Sequence, residues 1–360
     1  MAAIDVLVTA YNAEATLREA LDSLLAQTFS DIRIVVLDDG SADATPQILA
    51  DYDAKEDRVL VVTQPNGGIV DALNAGLSYC TAEYFARLDS DDVSLPERLG
   101  KQLAYLRSHP DCVAVGAEVL HIDANGVLLT DLPDLAPVES ADAARAPGRE
   151  PYLIHSTILV RRADMEAIGG YRHSPYSEDS DLFWRLAERG ALFSLPEALC
   201  KYRVHGASIS STLVNGRIMA IGSQLSALSA WRRKRGLADL EFPRELTAEL
   251  RHAGALDGMY ELGARLINAD ERDHFRICVA AKIMEMARYR PYEPDAGDCA
   301  FIRAALPCGR HLSPKNQKEL GWYVTVTAAR LVRKGLFAEA LALTPPASYP
   351  VAAARVLLSR

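Results

Sequence analysis

Along the first hundred residues, short apolar runs alternate with stretches whose apolar positions recur every three or four residues. Residues 4–8 (IDVLV) read as a strand. Beyond them Asn12 can cap a helix whose Leu17, Ala20, Leu21, Leu24 and Leu25 fall on one face. Residues 32–37 form a continuous, largely β-branched run, the pattern of a strand buried on both sides. A polar helix start over 41–45 follows, with Ile48 and Leu49 facing inward, and residues 59–63 read as a third strand. Asn66-Gly67-Gly68 then turns the chain into a helix through Leu77, and the strand 83–88 ends in acidic residues. Strands separated by helices predict a mostly parallel, Rossmann-like α/β sheet with flanking helices. Ligands of such sheets bind beyond the carboxyl ends of the strands. Three polar clusters fall there: Thr9-Ala10-Tyr11-Asn12, Asp38-Asp39-Gly40-Ser41 and Asp89-Ser90-Asp91-Asp92. One rim should carry all three.

From 130 to 151, proline, glycine and alanine accumulate, which predicts a long flexible loop. A second ordered block runs from Leu153 to about His205. Beyond roughly 213 the pattern is helical to the end, with breaks near Pro243, Pro291, Pro307 and Pro345. Residues 328–341 resemble half of a tetratricopeptide-like hairpin, but no repeat period is visible. The expected organisation is an α/β domain over 1–212 and an all-α C-terminal domain over 213–360.

Composition narrows the class. A chain of 360 residues, 49% hydrophobic and 24% charged, fits two globular domains. Its formal net charge of -9 argues against a nucleic-acid surface, which needs a basic face. No leader is visible ahead of the first strand, and no apolar run approaches the roughly 20 residues that span a bilayer. Six scattered cysteines without a C-x-x-C pair read as reduced thiols, hence a cytoplasmic protein. Two basic groups stand out: Arg232-Arg233-Lys234-Arg235 beside Trp231, and Arg330, Arg333 and Lys334 near Leu336 and Phe337. They suggest peripheral association with the inner face of an anionic membrane, or plain solvated helix faces.

Each polar cluster permits chemistry and also has a plain structural explanation. Asp89, Asp91 and Asp92 crowd like charges at a strand end, which suits a hard divalent cation shared with phosphate oxygens, or else an acidic turn. Asp38 and Asp39 could accept from a ribose hydroxyl or a base N–H, or could cap a tight glycine turn. Asn66-Gly67-Gly68 could let backbone approach a ligand, or simply turn. Glu178-Asp179 opens a stretch of helical periodicity; acidic residues are favoured there by the helix dipole, and a general base at a helix start is the functional alternative.

Taken in order, these elements resemble the inverting glycosyltransferases of family 2, nucleotide-sugar transferases with the GT-A fold. The resemblance rests on residues 8–12, 36–41, Asn66-Gly67-Gly68 with Asn74, 88–92 with 96–99, Gly169-Gly170-Tyr171, Glu178-Asp179 and 202–205. It covers about residues 1–210 and leaves the C-terminal part unnamed. It implies a donor site of Thr9, Tyr11, Asp38, Asp39, Gly67, Asn74, Asp89 and Ser90, with Thr9 and Asp39 at the base. Asp89 and Asp91 would form the D-x-D motif, Asp91 nearest a manganese or magnesium ion, with His205 a further contact to metal or diphosphate. Asp179 would be the catalytic base, with Glu178, Gly170 and Arg203 shaping the active site or the acceptor side. The implied reaction is metal-assisted, non-processive transfer from a nucleotide-diphosphate sugar, UDP-linked by default, to a glycan or glycolipid hydroxyl. Surface polysaccharide or lipopolysaccharide biosynthesis is the implied setting.

Two departures matter: Leu73 stands where many relatives carry a basic residue, and the Q-x-x-R-W motif of processive synthases is absent. A glycoside hydrolase would need no D-x-D. A sugar nucleotidylyltransferase would carry a basic, glycine-rich N-terminal loop, and residues 9–14 contain no basic residue. A catalytically weak nucleotide-sugar-binding scaffold would not need both Asp91 and Asp179.

Overall fold

The structure, a computed structural model, describes residues 2–130, 141–204 and 212–358. Residue contacts divide the chain into two units. The first comprises Met1–Val138, Pro151–Arg172 and Leu182–His205; the second comprises Glu139–Glu150, His173–Asp181 and Gly206–Arg360.

The first unit is built on a sheet of eight strands: β1 (Ile4–Ala10), β2 (Ile32–Asp38), β3 (Val59–Thr63), β4 (Tyr84–Asp89), β5 (Val93–Ser94), β6 (Cys112–Ile122), β7 (Leu159–Arg161) and β8 (Ala191–Arg203). Their spatial order is β3-β2-β1-β4-β7-β6-β8-β5. The half formed by β3, β2, β1 and β4 is parallel, connected by helices α1 (Leu17–Leu25), α2 (Thr45–Asp53) and α3 (Ile69–Tyr79). Beyond β4 the sheet is mixed: β7 is antiparallel to β4 and β6, while β8 runs parallel to β6. Helices α4 (Arg98–Ser108) and α5 (Arg162–Ala167) also belong to this unit.

Strand alternation sorts the apolar residues onto two faces. Ile4, Val6, Val8, Ile34 and Val36 join Leu17, Leu21, Leu24 and Leu103 in one cluster. Leu7, Val35 and Leu37 join Val70, Leu73, Leu182 and Phe183 in the other. Both faces of β1 and β2 are therefore covered, as their unbroken apolar runs require. Each fully buried aliphatic side chain contributes about 1.5–3 kcal/mol. The first helix starts later than its pattern suggests. Asn12 does not cap it; its N–H donates to Ser41 Oγ at 2.8 Å and its Oδ1 accepts from Ala42 N at 2.9 Å. That crossing contact, with φ at 50°, turns the loop, so the helix begins only at Leu17.

The second unit holds α7 (Leu213–Lys234), α8 (Leu246–Ala253), α9 (Leu256–Gly263), α10 (Arg272–Met286), α11 (Ala296–Ala305), α12 (Pro314–Arg333), α13 (Phe337–Leu343) and α14 (Tyr349–Leu358). Its core includes Ile218, Ile221 and Leu225 of α7 with Phe275, Val279, Ile283 and Met284 of α10. Two segments from earlier in the chain are sewn into it. Ala146 exchanges hydrogen bonds with the Asn316 amide at 2.9 and 2.8 Å, and Gly148 N donates to Gln224 Oε1 at 2.8 Å. Ser174 Oγ lies 2.9 Å from Ser226 Oγ. Residues 141–150, expected as part of a free loop, and 173–181, expected in the α/β domain, group with the helices for this reason. The helix Glu178–Ala187, α6, contributes its first turn to this unit and Leu182 onward to the other.

Much of the basic charge singled out in the sequence is engaged inside the second unit. Arg232 is buried against Glu271 at 2.5 Å, Arg233 pairs with Asp239 at 3.0 Å, and Arg330 and Lys334 both reach Glu293. Among the described residues, no helix is long and apolar enough to cross a membrane.

Candidate active site

Register brings the strand-end clusters of the first unit to one edge. Thr9 pairs with Leu37 of β2 on one side and with Asp89 of β4 on the other, and Ala10 pairs with Asp38. Thr9, Asp38 and Asp39 are buried, while Tyr11 just beyond β1 is exposed.

Asp38 Oδ1 accepts from Ser41 N at 3.1 Å, closing the turn after β2. Asp39 reaches further. Its Oδ1 accepts from Gln64 Nε2 at 2.7 Å and Gly67 N at 2.9 Å, and its Oδ2 accepts from Gly68 N at 2.9 Å. A carboxylate with backbone donors on both oxygens makes strong, orienting bonds. Asp39 thus fixes the Gly67-Gly68 turn that starts α3. Asn74, one turn into that helix, is fully committed as well: its Nδ2 donates to Tyr171 O and its Oδ1 accepts from Tyr171 N, both at 2.9 Å. Gly170 sits at φ +73°, and a Cβ there would fall 2.7 Å from Asn74 Oδ1, so only glycine fits. Its carbonyl accepts from Arg185 Nη1 at 2.7 Å. Leu73 is fully buried in the core. Asn74 and Gly170 therefore form one clamp around the Gly169-Gly170-Tyr171 bend.

The acidic turn after β4 gathers Asp89, Asp91 and Asp92, whose ligand oxygens lie within 4.8 Å of one another. Cations and donors hold it from several sides. Arg87, two residues before Asp89 and so on the same face of the strand, reaches Asp89 Oδ1 at 2.5 Å. Ser156 Oγ accepts from Asp89 N at 3.0 Å, and Thr16 Oγ1 donates to Ser90 O at 2.9 Å. Arg203 at the end of β8 donates its backbone N–H to Asp92 Oδ1 at 2.8 Å and its Nε to Asp91 O at 2.7 Å. Its guanidinium also reaches Glu19 at 2.5 Å and Ala124 O at 3.2 Å. Arg98, wholly buried, donates to Arg87 O at 2.7 Å and Ser156 O at 3.1 Å.

Electrostatically the turn is short of positive charge. Burial, reinforced by Asp89 and Asp91, pushes the Asp92 carboxyl well above the usual carboxylate range. Asp92 Oδ2 is buried without a hydrogen-bond partner. An all-oxygen donor set with an unsatisfied buried oxygen fits a hard divalent cation such as magnesium or manganese.

Glu178 and Asp179 lie in the second unit, both half-buried, in the first turn of α6. Asp181 N donates to Ser177 O at 3.0 Å to open the helix, and Asp179 Oδ1 accepts from Ser180 N at 2.7 Å. His205 lies outside the described residues.

Sequence reasoning missed Arg87, Ser156 and Thr16 as supports of the acidic turn. The period of a strand could have signalled Arg87. Ser156 and Thr16 meet the turn only through folding, with no local pattern to mark them.

The sequence model of glycosyl transferase family 2 matches residues 5–169. EpsE of Bacillus subtilis, named as a glycosyltransferase, is 34% identical over 206 residues, 56% of this chain and 72% of that protein. The amylovoran biosynthesis glycosyltransferase AmsE of Erwinia amylovora is 33% identical over 216 residues, 59% of this chain and 78% of that one. Among solved structures, S. aureus TarS 1-349 in complex with UDP-GlcNAc aligns over 92% of both chains, with a TM-score of 0.54 and 19% identity. The mannosyltransferase PcManGT of Pyrobaculum calidifontis, in complex with GDP-Man and Mn2+, aligns over all of this chain and 88% of its own, with a TM-score of 0.50 and 17% identity. Fold, strand-end motifs and relatives agree: the chain belongs to glycosyl transferase family 2 and is a glycosyltransferase of the GT-A fold.

Proposed function

We propose that the chain is a non-processive, inverting glycosyltransferase that moves a sugar from a UDP-linked donor to a hydroxyl of a glycan or glycolipid. The observation that carries this reading is the acidic trio at the strand rim shared with Thr9 and Asp38. The buried edge of Thr9, Asp38 and Asp39, with the Asp39-held glycine turn, is a surface for the nucleotide base and ribose. Asp89 and Asp91 would hold manganese or magnesium, with Ser90 and Tyr11 beside the donor. The metal, when bound, would neutralise the charge developing on the diphosphate leaving group. Asp179 accepts the proton of the acceptor hydroxyl as its oxygen attacks the anomeric carbon from the side opposite the diphosphate, which inverts that centre. Glu178 shapes the surroundings of this base.

The name of AmsE supports a setting in surface polysaccharide assembly, and the ligands of TarS and PcManGT support a nucleotide-sugar donor. All six cysteines are free, which supports the reducing, cytoplasmic side. The test is a panel of UDP-, GDP- and dTDP-sugars scored for nucleotide release with manganese, magnesium or a chelator. We expect metal-dependent release of UDP. Release of pyrophosphate from a nucleoside triphosphate and a sugar phosphate would instead make the protein a nucleotidylyltransferase.

A further inference from the structure

Outside the strand rim, the second unit contains a buried charged chain that the reaction above does not use and that reaches the start of α6. Lys282 on α10 places its Nζ 2.9 Å from Glu150 Oε1 and 2.8 Å from Glu285 Oε2. The other oxygen of Glu150, Oε2, accepts from the Ser180 hydroxyl. Ser180 follows Asp179 directly, and its backbone N–H donates to Asp179 Oδ1 at 2.7 Å. Lys282 and Ser180 are each less than a tenth exposed.

We propose that the helical unit positions the catalytic base: Lys282, through Glu150 and Ser180, fixes the turn that carries Asp179. The inference rests on Asp179 being the base of the proposed reaction. Lys282, Glu150 and Ser180 are positioning residues, since none of them needs to touch substrate.

Three further observations support it. First, the whole segment around the base is docked on α7. The Ser177 hydroxyl donates to Met219 O at 3.2 Å, and Ser174 meets Ser226. Gly222 of α7 lies so close to the segment that a Cβ would fall 2.1 Å from Pro175 O. Second, the charges are held ionised. Burial would neutralise both groups, but the attraction of Lys282 leaves Glu150 below its usual range, and Glu150 with Glu285 leaves Lys282 well above its own. Third, a buried ion pair of this kind adds little stability over apolar packing of the same volume. What it does impose is direction: Glu150 can satisfy Lys282 and Ser180 together in only a narrow range of positions. Small displacements of a reacting group are costly, with about 1 Å worth up to about 100-fold in rate.

The experiment compares Ser180→Ala, Lys282→Met, Glu150→Gln and the Lys282→Met/Glu150→Gln pair, using the UDP-sugar of highest turnover. Ser180→Ala leaves the ion pair whole and removes one hydrogen bond to Glu150, so it should lose less melting temperature than Lys282→Met. Its kcat should nevertheless fall about tenfold or more, with donor KM and the affinity for UDP plus manganese unchanged. Lys282→Met removes the ion-pair partner of both Glu150 and Glu285 and should lose both melting temperature and kcat. The paired variant removes both charges while keeping an amide oxygen for the Ser180 hydroxyl, so it should regain part of each. If Ser180→Ala and Lys282→Met keep the parent kcat per folded enzyme, whatever their melting temperatures, the chain is structural only and the inference is overturned. Asp179→Asn in parallel separates the two levels. Full kcat in that variant would remove the base assignment itself, whereas its loss with Ser180→Ala unaffected would remove only the positioning role.

Discussion

The turn after β4 and the turn that opens α6 both carry acidic residues, but they are held in different ways. Arg87 lies two residues before Asp89 on the same strand, Arg98 of the following helix donates to Arg87 O, and Arg203 reaches Asp91 and Asp92 from the end of β8. The second turn depends on Lys282 and Gly222, in helices beyond the region matched to the family. The first turn is chiefly a charge problem: three carboxylates are crowded together, Arg87 close by in sequence and Arg203 from the end of β8 hold them, and their oxygens would suit a divalent cation. The second is a placement problem, in which one carboxylate must be aimed by a scaffold. Charge density can be encoded locally, whereas aim needs rigid distant packing.

The largest expected effect tests that division directly. Asp179→Asn should lower turnover about 10²–10⁴-fold, the usual contribution of a positioned base. Isothermal titration with UDP and manganese should remain as in the parent. Asp91→Asn should do the reverse at the binding step, abolishing the manganese-dependent part of UDP affinity while the protein stays folded. Equal loss of UDP affinity in both variants would erase the distinction between the turns.

Arg203→Met sharpens the comparison on the first side. It removes the guanidinium that serves Asp91 O, Ala124 O and Glu19. These bonds are part-buried, so losing a donor costs less than the ~1–3 kcal/mol of a fully buried group, but Arg203 serves several at once. We expect a lower melting temperature together with weaker UDP–manganese affinity. Lys282→Met should lower the melting temperature without the second effect. Unchanged UDP–manganese affinity in Arg203→Met would show that the turn holds its shape without this clamp.

The same contrast explains what the sequence could and could not disclose. The strands β1 to β4 were legible because their apolar runs must be buried on both faces, and their register then brings Thr9, Asp38 and Asp89 together without further information. That Asp89, Asp91 and Asp92 crowd together was legible from their spacing, whereas that crowding alone left a cation and a plain acidic turn both open. The hydrogen bonds by which Asp39 and Asn74 hold the neighbouring turn and bend were not legible, since their partners Gly67, Gly68 and Tyr171 are set by three-dimensional approach. Nor was the grouping of 141–150 and 173–181 with the helices. Proline and alanine in the first segment read as a loop, and only Asn316, Gln224 and Ser226 show what each segment docks on.

Acid should weaken both units, each through one buried histidine. In the second unit His274 Nδ1 lies 2.9 Å from His311 Nε2, and its Nε2 lies 3.4 Å from Cys278 Sγ. Burial, and then His311, lower its pKa from the ordinary 6.5 to about 4. The unfolded ring takes up its proton near 6.5 and the folded ring only near 4. Stability is therefore full above the upper value and declines as pH falls through the window, by about 3 kcal/mol for this group. In the first unit His155, bonded to the Tyr171 hydroxyl at 2.9 Å, is also held well below its usual range, by burial and then Arg87. Urea titrations at pH 7 and about pH 4.5 should show the loss, and His274→Gln should reduce it. A variant whose stability falls with pH as steeply as the parent's would clear His274 of the effect.

The smallest effect concerns whether the helical unit is also a membrane dock. Pairing with Glu271, Asp239 and Glu293 leaves Lys234 and Arg235 as the exposed cations of the cluster beside Trp231, with Arg235 stacked 4.7 Å over that ring. Each exposed cation near an anionic surface contributes about 1 kcal/mol, and salt at physiological strength screens the attraction within about 8 Å. Two such charges support weak binding only. Co-sedimentation with phosphatidylglycerol vesicles should be detectable at low salt, vanish at about 150 mM, and be absent with neutral vesicles. Binding that survives high salt would point instead to apolar contact through Phe337 and Leu341, which stand exposed on α13. The helical unit would then have a second task beside holding the turn that carries Asp179.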